Sequence, residues 1–251
     1  MNRPALLSLD EALPQLLAHA QPLPGVQSIS TFEADGRVLA QDVTSALQVP
    51  PQDNSSMDGY AVRVSDCIQA GALLRVTQRI PAGSHGTPLG AGEAARIFTG
   101  APIPEGADAV VMQEDCEAVE PAQVKVLKRV PIGQWIRRSG EDVTRGAKVL
   151  AAGDRLTPAS LGLAASIGLA QLQVAPRPRV ALFSTGDELV MPGDVAPDAM
   201  PPGAIYNSNR FFLRAMLQRL GCEVTDLGIV PDQREATLQA LRDAANHHDL
   251  I

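Results

Sequence analysis

Leu9, Leu13, Leu16 and Leu17 recur at helical spacing behind Ser8 and Glu11, a capping-box pair, so the chain is predicted to open with a short amphipathic helix. Pro14 sits against that reading, and Pro22 and Pro24 end the helix. Residues 26–45 read as strand, tight turn at Asp35-Gly36, and strand again. From about residue 47 to 145 the apolar runs become short and are cut by proline and glycine, as at 61–64, 73–76, 109–112 and 124–127. Many short strands in about a hundred residues predict a compact, mostly β module. No repeat of ~20 to 50 residues runs through it, which excludes a solenoid or propeller. Thr157-Pro158 starts a helix that reaches about Ile167 and stops at Gly168.

After Arg177-Pro178 the pattern changes again. Residues 180–183 form a continuous apolar strand. Residues 208–220 form a helix expected to turn Phe212, Met216, Leu217 and Leu220 inward, with Gly221 as its stop. Residues 223–229 give the next strand, Asp232 caps a helix through Asn246, and 249–251 begin a third strand. This βαβαβ order predicts a parallel sheet with right-handed crossovers, whose ligands would lie beyond the carboxyl ends of its strands.

Composition narrows the function classes. The 251 residues carry 21 Lys plus Arg against 28 Asp plus Glu, a net charge of −7, with 45% hydrophobic residues. That is the balance of an ordinary globular chain. An acidic surface without clustered cations argues against nucleic acid as a partner. Cys67, Cys116 and Cys222 show no CxxC or CxxH spacing, so neither a disulfide framework nor a zinc site is indicated. The opening residues do not form a signal peptide, and the longest small-apolar run, 161–170, falls short of the ~20 residues that span a bilayer. A cytoplasmic setting without membrane association is the expectation.

Four segments could carry chemistry. In DNSSMDGYAV, residues 53–62, Asp53 and Asp58 present oxygen donors on a rigid turn, suited to a hard cation such as magnesium or to a polar ligand; a plain hairpin or loop accounts for it too. RIFTGAPIPEGADAVVMQED, residues 96–115, sets Thr99 and the Gly100 amide at the entrance of a proline-glycine loop, and lacks the lysine and spacing of a phosphate-binding P-loop. In IRRSGEDVTRGAKVL, residues 136–150, Arg137 and Arg138 stand near Glu141 and Asp142, which a solvated ion-pair cluster also explains. FSTGDELV follows the first parallel strand and puts Thr185, Gly186, Asp187 and Glu188 at a carboxyl-end loop, an edge that Asp232 would share. GxGxxG, GxSxG and HExxH are absent.

Taken together, DNSSMDGYAV, RIFTGAPIPEGADAVVMQED, IRRSGEDV, ALFSTGDELV, IYNSNR and LGCEV…LGIVPD resemble, in order and approximate spacing from about Ser8 to Ile251, the molybdopterin molybdenumtransferase family that includes MoeA and the gephyrin E domain. The resemblance implies a multidomain α/β plus β fold. It would consist of an N-terminal helix packing with the α/β domain (1–24), connecting and dimerising segments (25–45 and 146–177), an inserted mostly β module (46–145) and a truncated molybdopterin-binding-like α/β domain (178–251). It also implies that Asp58, Thr99, Asp142, Glu188 and Asp232 line an active site, with Asp58 and Glu188 as magnesium ligands. Thr185, Gly186, Asp187 and Arg137 would face the substrate, Arg137 attracting molybdate or phosphate. The reaction implied is magnesium-dependent insertion of molybdate into adenylylated molybdopterin, with release of AMP. Molybdenum would be cargo, passed to the soft dithiolate of the pterin.

The family pattern differs at three places: Ser56 stands for a small alanine, Asn207 for an aspartate, and the 191–203 loop is longer and proline-rich. The family also continues past the third parallel strand into a serine- and glycine-rich turn, further lysines and a final β domain. The chain as it stands is therefore expected not to insert molybdenum by itself. A homodimer through 26–45 and 145–174 is expected, in which acidic residues of the β module of one subunit meet the α/β domain of the other. Contacts with other molybdenum-cofactor synthesis proteins would fit the same pathway. The alternatives are a non-catalytic truncated scaffold or assembly module of that pathway, and a nucleotide-binding protein of an unrelated one.

Overall fold

The fold comes from a computed structural model, which describes residues 7–251; the first six residues of the expected 1–24 segment lie outside the described residues. In chain order the strands are β1 (Gln27–Ser30), β2 (Val43–Thr44), β3 (Asn54–Ser55), β4 (Gly59–Val62), β5 (Ala72–Ile80), β6 (Glu93–Ile97), β7 (Ala109–Met112), β8 (Cys116–Val119), β9 (Gln123–Val126), β10 (Ile136–Arg137), β11 (Lys148–Leu150), β12 (Gln171–Val174), β13 (Arg179–Thr185), β14 (Leu189–Val190), β15 (Ile205–Tyr206) and β16 (Glu223–Val230). The helices are α1 (Leu9–Leu17), α2 (Pro158–Ser166), α3 (Ser208–Arg219) and α4 (Arg234–Ala245). Two units emerge, with the division falling inside α2. One takes the described residues up to Gln41 with Ala152–Leu161 and Ala170–Ile251, and the other takes Asp42–Ala151 with Gly162–Leu169.

The second unit is built on a six-stranded sheet of order β7-β4-β6-β5-β9-β8, antiparallel throughout except for the parallel pair β5–β6. Its central strands are apolar at consecutive positions, so alternation sends neighbours to opposite faces and both faces are covered. Val62, Ala94 and Val111 join one buried cluster with Leu74, Val124 and Val126. Ala61, Ala95 and Val110 join the other with Ile80, Leu89 and Ile97. Burial of a Val, Leu or Ile side chain contributes roughly 1.5–3 kcal/mol, so these clusters hold the unit together. Gly59 begins β4 so close to β7 that a Cβ there would sit 1.9 Å from the Val111 carbonyl oxygen. Two short antiparallel pairs complete the unit, β3 with β10 and β2 with β11.

In the first unit α1 forms with the expected capping box. Ser8 accepts from the Glu11 amide while the Glu11 carboxylate takes the Ser8 amide. None of its residues is buried. The strands flanking Asp35-Gly36 do not pair with each other: β1 pairs antiparallel with β12, far along the chain. β13 and β16 are parallel, and Leu250 bridges Val180 in parallel on the other side of β13, which is the expected βαβαβ arrangement.

Two sequence expectations are corrected in this unit. Asp232 does not cap α4: Gln233 occupies the cap position without a side-chain bond, and the Asp232 amide instead donates to Asp187. On α3, Phe212, Met216 and Leu220 are exposed and only Leu217 is half-buried, because two long strands give the helix a narrow surface to cover. What fixes α3 is polar. Arg155 donates to the Leu220 carbonyl at its C-terminal end, and Arg210 makes a two-pronged pair with Asp226 of β16.

Candidate functional site

Three of the four candidate loops are laced together in the β module by backbone. Residues 53–55 run between the 100–103 loop and β10. The Gly100 amide donates to Ser55 O at 2.8 Å, the Ser55 amide to Ala101 O at 2.9 Å, and the Ile103 amide to Asp53 O at 3.0 Å. On the other side Asn54 and Ser55 pair with Arg137 and Ile136. The Gly100 amide expected at the loop entrance is thus already used, and the glycine is there for its backbone, with φ at +80°.

This lacing brings Asp58 and Thr99 into contact across 41 positions. One carboxylate oxygen of Asp58, Oδ1, accepts from both the amide and the hydroxyl of Thr99, each at 2.8 Å. Those two donors, with the Arg96 charge as a smaller cause, hold the Asp58 carboxyl below the usual carboxylate range. The other oxygen, Oδ2, has no protein partner among the described residues, and the side chain is half-exposed.

Asp53 is held in a similar way, by the Ser139 amide at 2.8 Å and the Arg138 guanidinium, and its carboxyl is lowered chiefly by the Ser139 donor. Arg137 donates to Asp142 and also faces Glu141 at 3.5 Å, and the Asp142 bond is the first cause raising its pKa. Two carboxylates therefore already face the cation expected to attract an anion. Ser56, the departure in the first motif, donates its amide and hydroxyl to Trp135 O, both at 3.0 Å. Trp135 is the one non-glycine residue at positive φ, +54°, among the described residues, a strained geometry of a kind that gathers at functional sites.

The remaining candidates lie in the other unit, at the carboxyl end of β13. Thr185, Asp187 and Glu188 are exposed and Gly186 is buried, with φ at +144°. The Glu188 carboxylate folds over Gly186, where an added Cβ would meet it at 2.7 Å. Asp187 accepts from the Asp232 amide at 3.2 Å, so those two are brought together as expected. Asn207 caps α3 by accepting from the Arg210 amide and also takes the Ser184 hydroxyl.

Among the described residues, the buried side-chain polar atoms without a partner are Asn54 Oδ1 and Asn207 Nδ2, one in the first candidate loop and one beside the last. A buried polar atom left without any partner costs about 1–3 kcal/mol, and water or a bound group would satisfy these two. No group of three or more His, Cys, Asp or Glu residues is placed to enclose a metal ion among the described residues. Single open carboxylates, such as Asp58 Oδ2, nonetheless fit magnesium, which keeps waters and combines one or two carboxylates with substrate phosphate.

Arg96, the first residue of the 96–115 segment, carries no motif signal of its own. Its guanidinium stacks on Tyr60 and Phe98 while bonding to the segments that carry Asp58 and Thr99. The adjacency of Arg96 and Phe98 to Thr99 was visible, but the stack depends on strand register.

Comparison with known proteins identifies the family. The "MoeA N-terminal region (domain I and II)" matches residues 7–168, and the "Probable molybdopterin binding domain" matches residues 181–251. A curated relative from Haemophilus influenzae, named molybdopterin molybdenumtransferase, is 39% identical over 246 residues, covering 98% of this chain and 60% of its own length. One from Synechococcus elongatus with the same name is 41% identical, covering 92% of this chain and 58% of its own length. The crystal structure of a molybdopterin biosynthesis moeA protein from Pyrococcus horikoshii superposes with a TM-score of 0.90 at 31% identity, covering 98% of this chain and 66% of that one. The chain thus spans about three fifths of the length of these curated relatives. With both profiles matching in order and one of them covering more than half of the sequence, the chain belongs to the MoeA family.

Proposed function

We propose that this chain supplies the N-terminal and pterin-binding parts of a molybdopterin molybdenumtransferase, which inserts molybdate into adenylylated molybdopterin and releases AMP. The observation that supports this best is the Asp58–Thr99 pair, in which one carboxylate oxygen is held by two donors and the other is left open. Magnesium bound at Asp58, or at the exposed Glu188 carboxylate, would offset the negative charge of the substrate phosphate. Asp142, Asp187 and Asp232 supply further acidic edges, and the Thr185-Gly186 turn offers a backbone surface for the pterin. Turnover draws on segments present in the relatives beyond the part this chain spans.

The test is AMP release from adenylylated molybdopterin, molybdate and magnesium. It compares the 251-residue chain with the same chain joined to the C-terminal part of the Haemophilus influenzae relative. Release by the joined protein alone is expected. A folded joined protein that binds the pterin but releases no AMP would leave the scaffold reading in its place.

The same reading includes a homodimer. It is supported by α1, which has no buried residue, and by Phe32, 93% exposed in a segment expected at the interface. On the small-residue helix expected there, Ala164 is fully buried within the chain while Gly162 and Ala165 are exposed. Sedimentation at micromolar concentration should give about twice 26.4 kDa; a clean monomer would reject the dimer.

A further inference from the structure

Arg96 lies on β6, three residues before Thr99, and its side chain is committed in five directions. Nη1 donates to the Gly59 carbonyl at 2.7 Å and to the Ile97 carbonyl at 3.1 Å, and Nη2 donates to Gln113 Oε1 at 2.6 Å. The guanidinium carbon stands 5.3 Å from the Tyr60 ring centroid and 4.5 Å from that of Phe98. Phe98 is approached in turn by Arg79 at 4.4 Å. No carboxylate among the described residues forms an ion pair with Arg96.

What Arg96 touches matters more than how many groups it touches. Gly59 directly follows Asp58. Ile97 lies two residues before Thr99. Gln113 donates its backbone amide to the Asp58 carbonyl at 3.1 Å. The three acceptors therefore belong to the three chain segments whose relative placement decides whether Asp58 Oδ1 meets the Thr99 amide and hydroxyl. Gly59 adds a tight constraint at the same point, because β4 and β7 approach there too closely for any side chain. A planar fork with several donors fixed in direction suits such a junction, and a flexible ammonium does not. The aromatic rings on which it stacks remove much of its rotational freedom before it makes any hydrogen bond.

We propose that Arg96 is a positioning residue that sets the Asp58–Thr99 pair by clamping the ends of β4 and β6 and the start of the 113–115 turn in one plane. Its importance for chemistry rests on the reading of Asp58 given above, but the clamp itself can be measured without turnover. It predicts that loss of the fork frees the Thr99 amide while the sheet stays intact.

The experiment is residue-resolved amide hydrogen exchange by NMR on the 251-residue chain. Arg96→Met should speed exchange at the Thr99 and Gln113 amides by about tenfold or more, while the amides of Val62 at the far end of β4 and Val110 on the edge strand β7 stay within about twofold. Arg96→Lys should fail to restore protection, since it keeps the charge and loses the fork. Arg75→Met removes an exposed arginine on the adjacent strand and should change neither amide. The proposal is overturned if Thr99 exchange in folded Arg96→Met stays within about twofold of the parent chain, or if Arg96→Lys fully restores it. It is equally overturned if exchange rises uniformly across β4, β6 and β7, which is the mark of a residue that only stabilises the sheet. Should Arg96→Met fail to fold, Gln113→Leu removes one of the three acceptors and carries the same expectation at a smaller size, about threefold at Thr99, with no change overturning the clamp. Inactivity of the joined protein in the AMP assay would count against the function and leave these exchange results untouched.

Discussion

Asp58 and Glu188 are both carboxylates at the end of an element, yet the protein treats them differently. Asp58 receives two donors from Thr99, and its neighbour Asp53 is held by the Ser139 amide and Arg138. Glu188 leans over a glycine, and Asp187 beside it takes one long amide contact. The first pair is oriented by the chain itself, with free rotation already lost. The second is left adjustable, as suits a group whose geometry is completed by whatever it meets. The supporting cores differ in the same direction: two buried clusters underlie the six-stranded sheet, whereas α3 presents no buried residue.

The strongest way to break this comparison is through activity. In the joined protein, Asp58→Ala and Glu188→Ala should each lower AMP release by about 10²-fold or more, as expected when a carboxylate that holds magnesium against the substrate phosphate is lost. Glu188 is exposed, so its variant should hardly move the thermal midpoint, whereas Asp58→Ala also loses two bonds from Thr99 and should lower it modestly. If either variant unfolds early and keeps normal specific activity when folded, that residue is structural.

Next in size, Ile97→Ala should cost about 2–5 kcal/mol in urea unfolding, since its side chain is fully buried in the sheet cluster. Phe212→Ala on α3, where the ring is 65% exposed, should cost less than about 0.5 kcal/mol in the same assay. Similar losses at the two positions would erase the contrast between the units. Between these limits, Ser56→Ala removes one of the two bonds to the Trp135 carbonyl and should cost about 1 kcal/mol.

The smallest and most local effect concerns pH. Two-pronged bonding to Arg179 holds the Asp249 carboxyl at about 2, below its ordinary 3.8. A depressed carboxyl stabilises the folded state at higher pH, and that contribution is lost as pH falls from about 4 toward 2. Protection of the Leu250 and Ala181 amides, relative to unstructured peptide at the same pH, should fall over that interval in the parent chain. In Asp249→Asn this acid sensitivity should be absent; an unchanged profile would show that the ion pair does not hold the strand.

The sequence made the periodic elements legible and left the register-dependent ones hidden. Ser8 with Glu11, and Thr157-Pro158 with Gly168, announce α1 and α2 because capping is written within a few residues. β6 was harder to see, since Ala94 and Ala95 are small and the strand is recognised only by their complete burial against neighbours. Asp58 and Thr99 could each be picked out as candidates. Their pairing could not, because it depends on a stretch of chain spanning 41 positions folding into the β4–β6 register. Asp232 shows the opposite error: an aspartate before a helix invites a capping role, but the helix starts after Gln233 and the backbone at 232 turns to Asp187.

The pairings β2–β11 and β1–β12 also bear on the order in which the chain assembles. Ser28 and Gln171, joined across β1 and β12, are 143 residues apart, and in an unstructured chain that whole length must be closed before they meet. Once Thr44 and Lys148 have paired, only about 40 residues of loose chain separate the partners, roughly two halvings of the loop. At about 0.6 kcal/mol per doubling, the closed module lowers the entropic barrier to β1–β12 by about 1.2 kcal/mol, close to a factor of ten in rate. Assembly from the inserted module outward is therefore the expected order, and a lesion in its sheet should delay strands that it never touches.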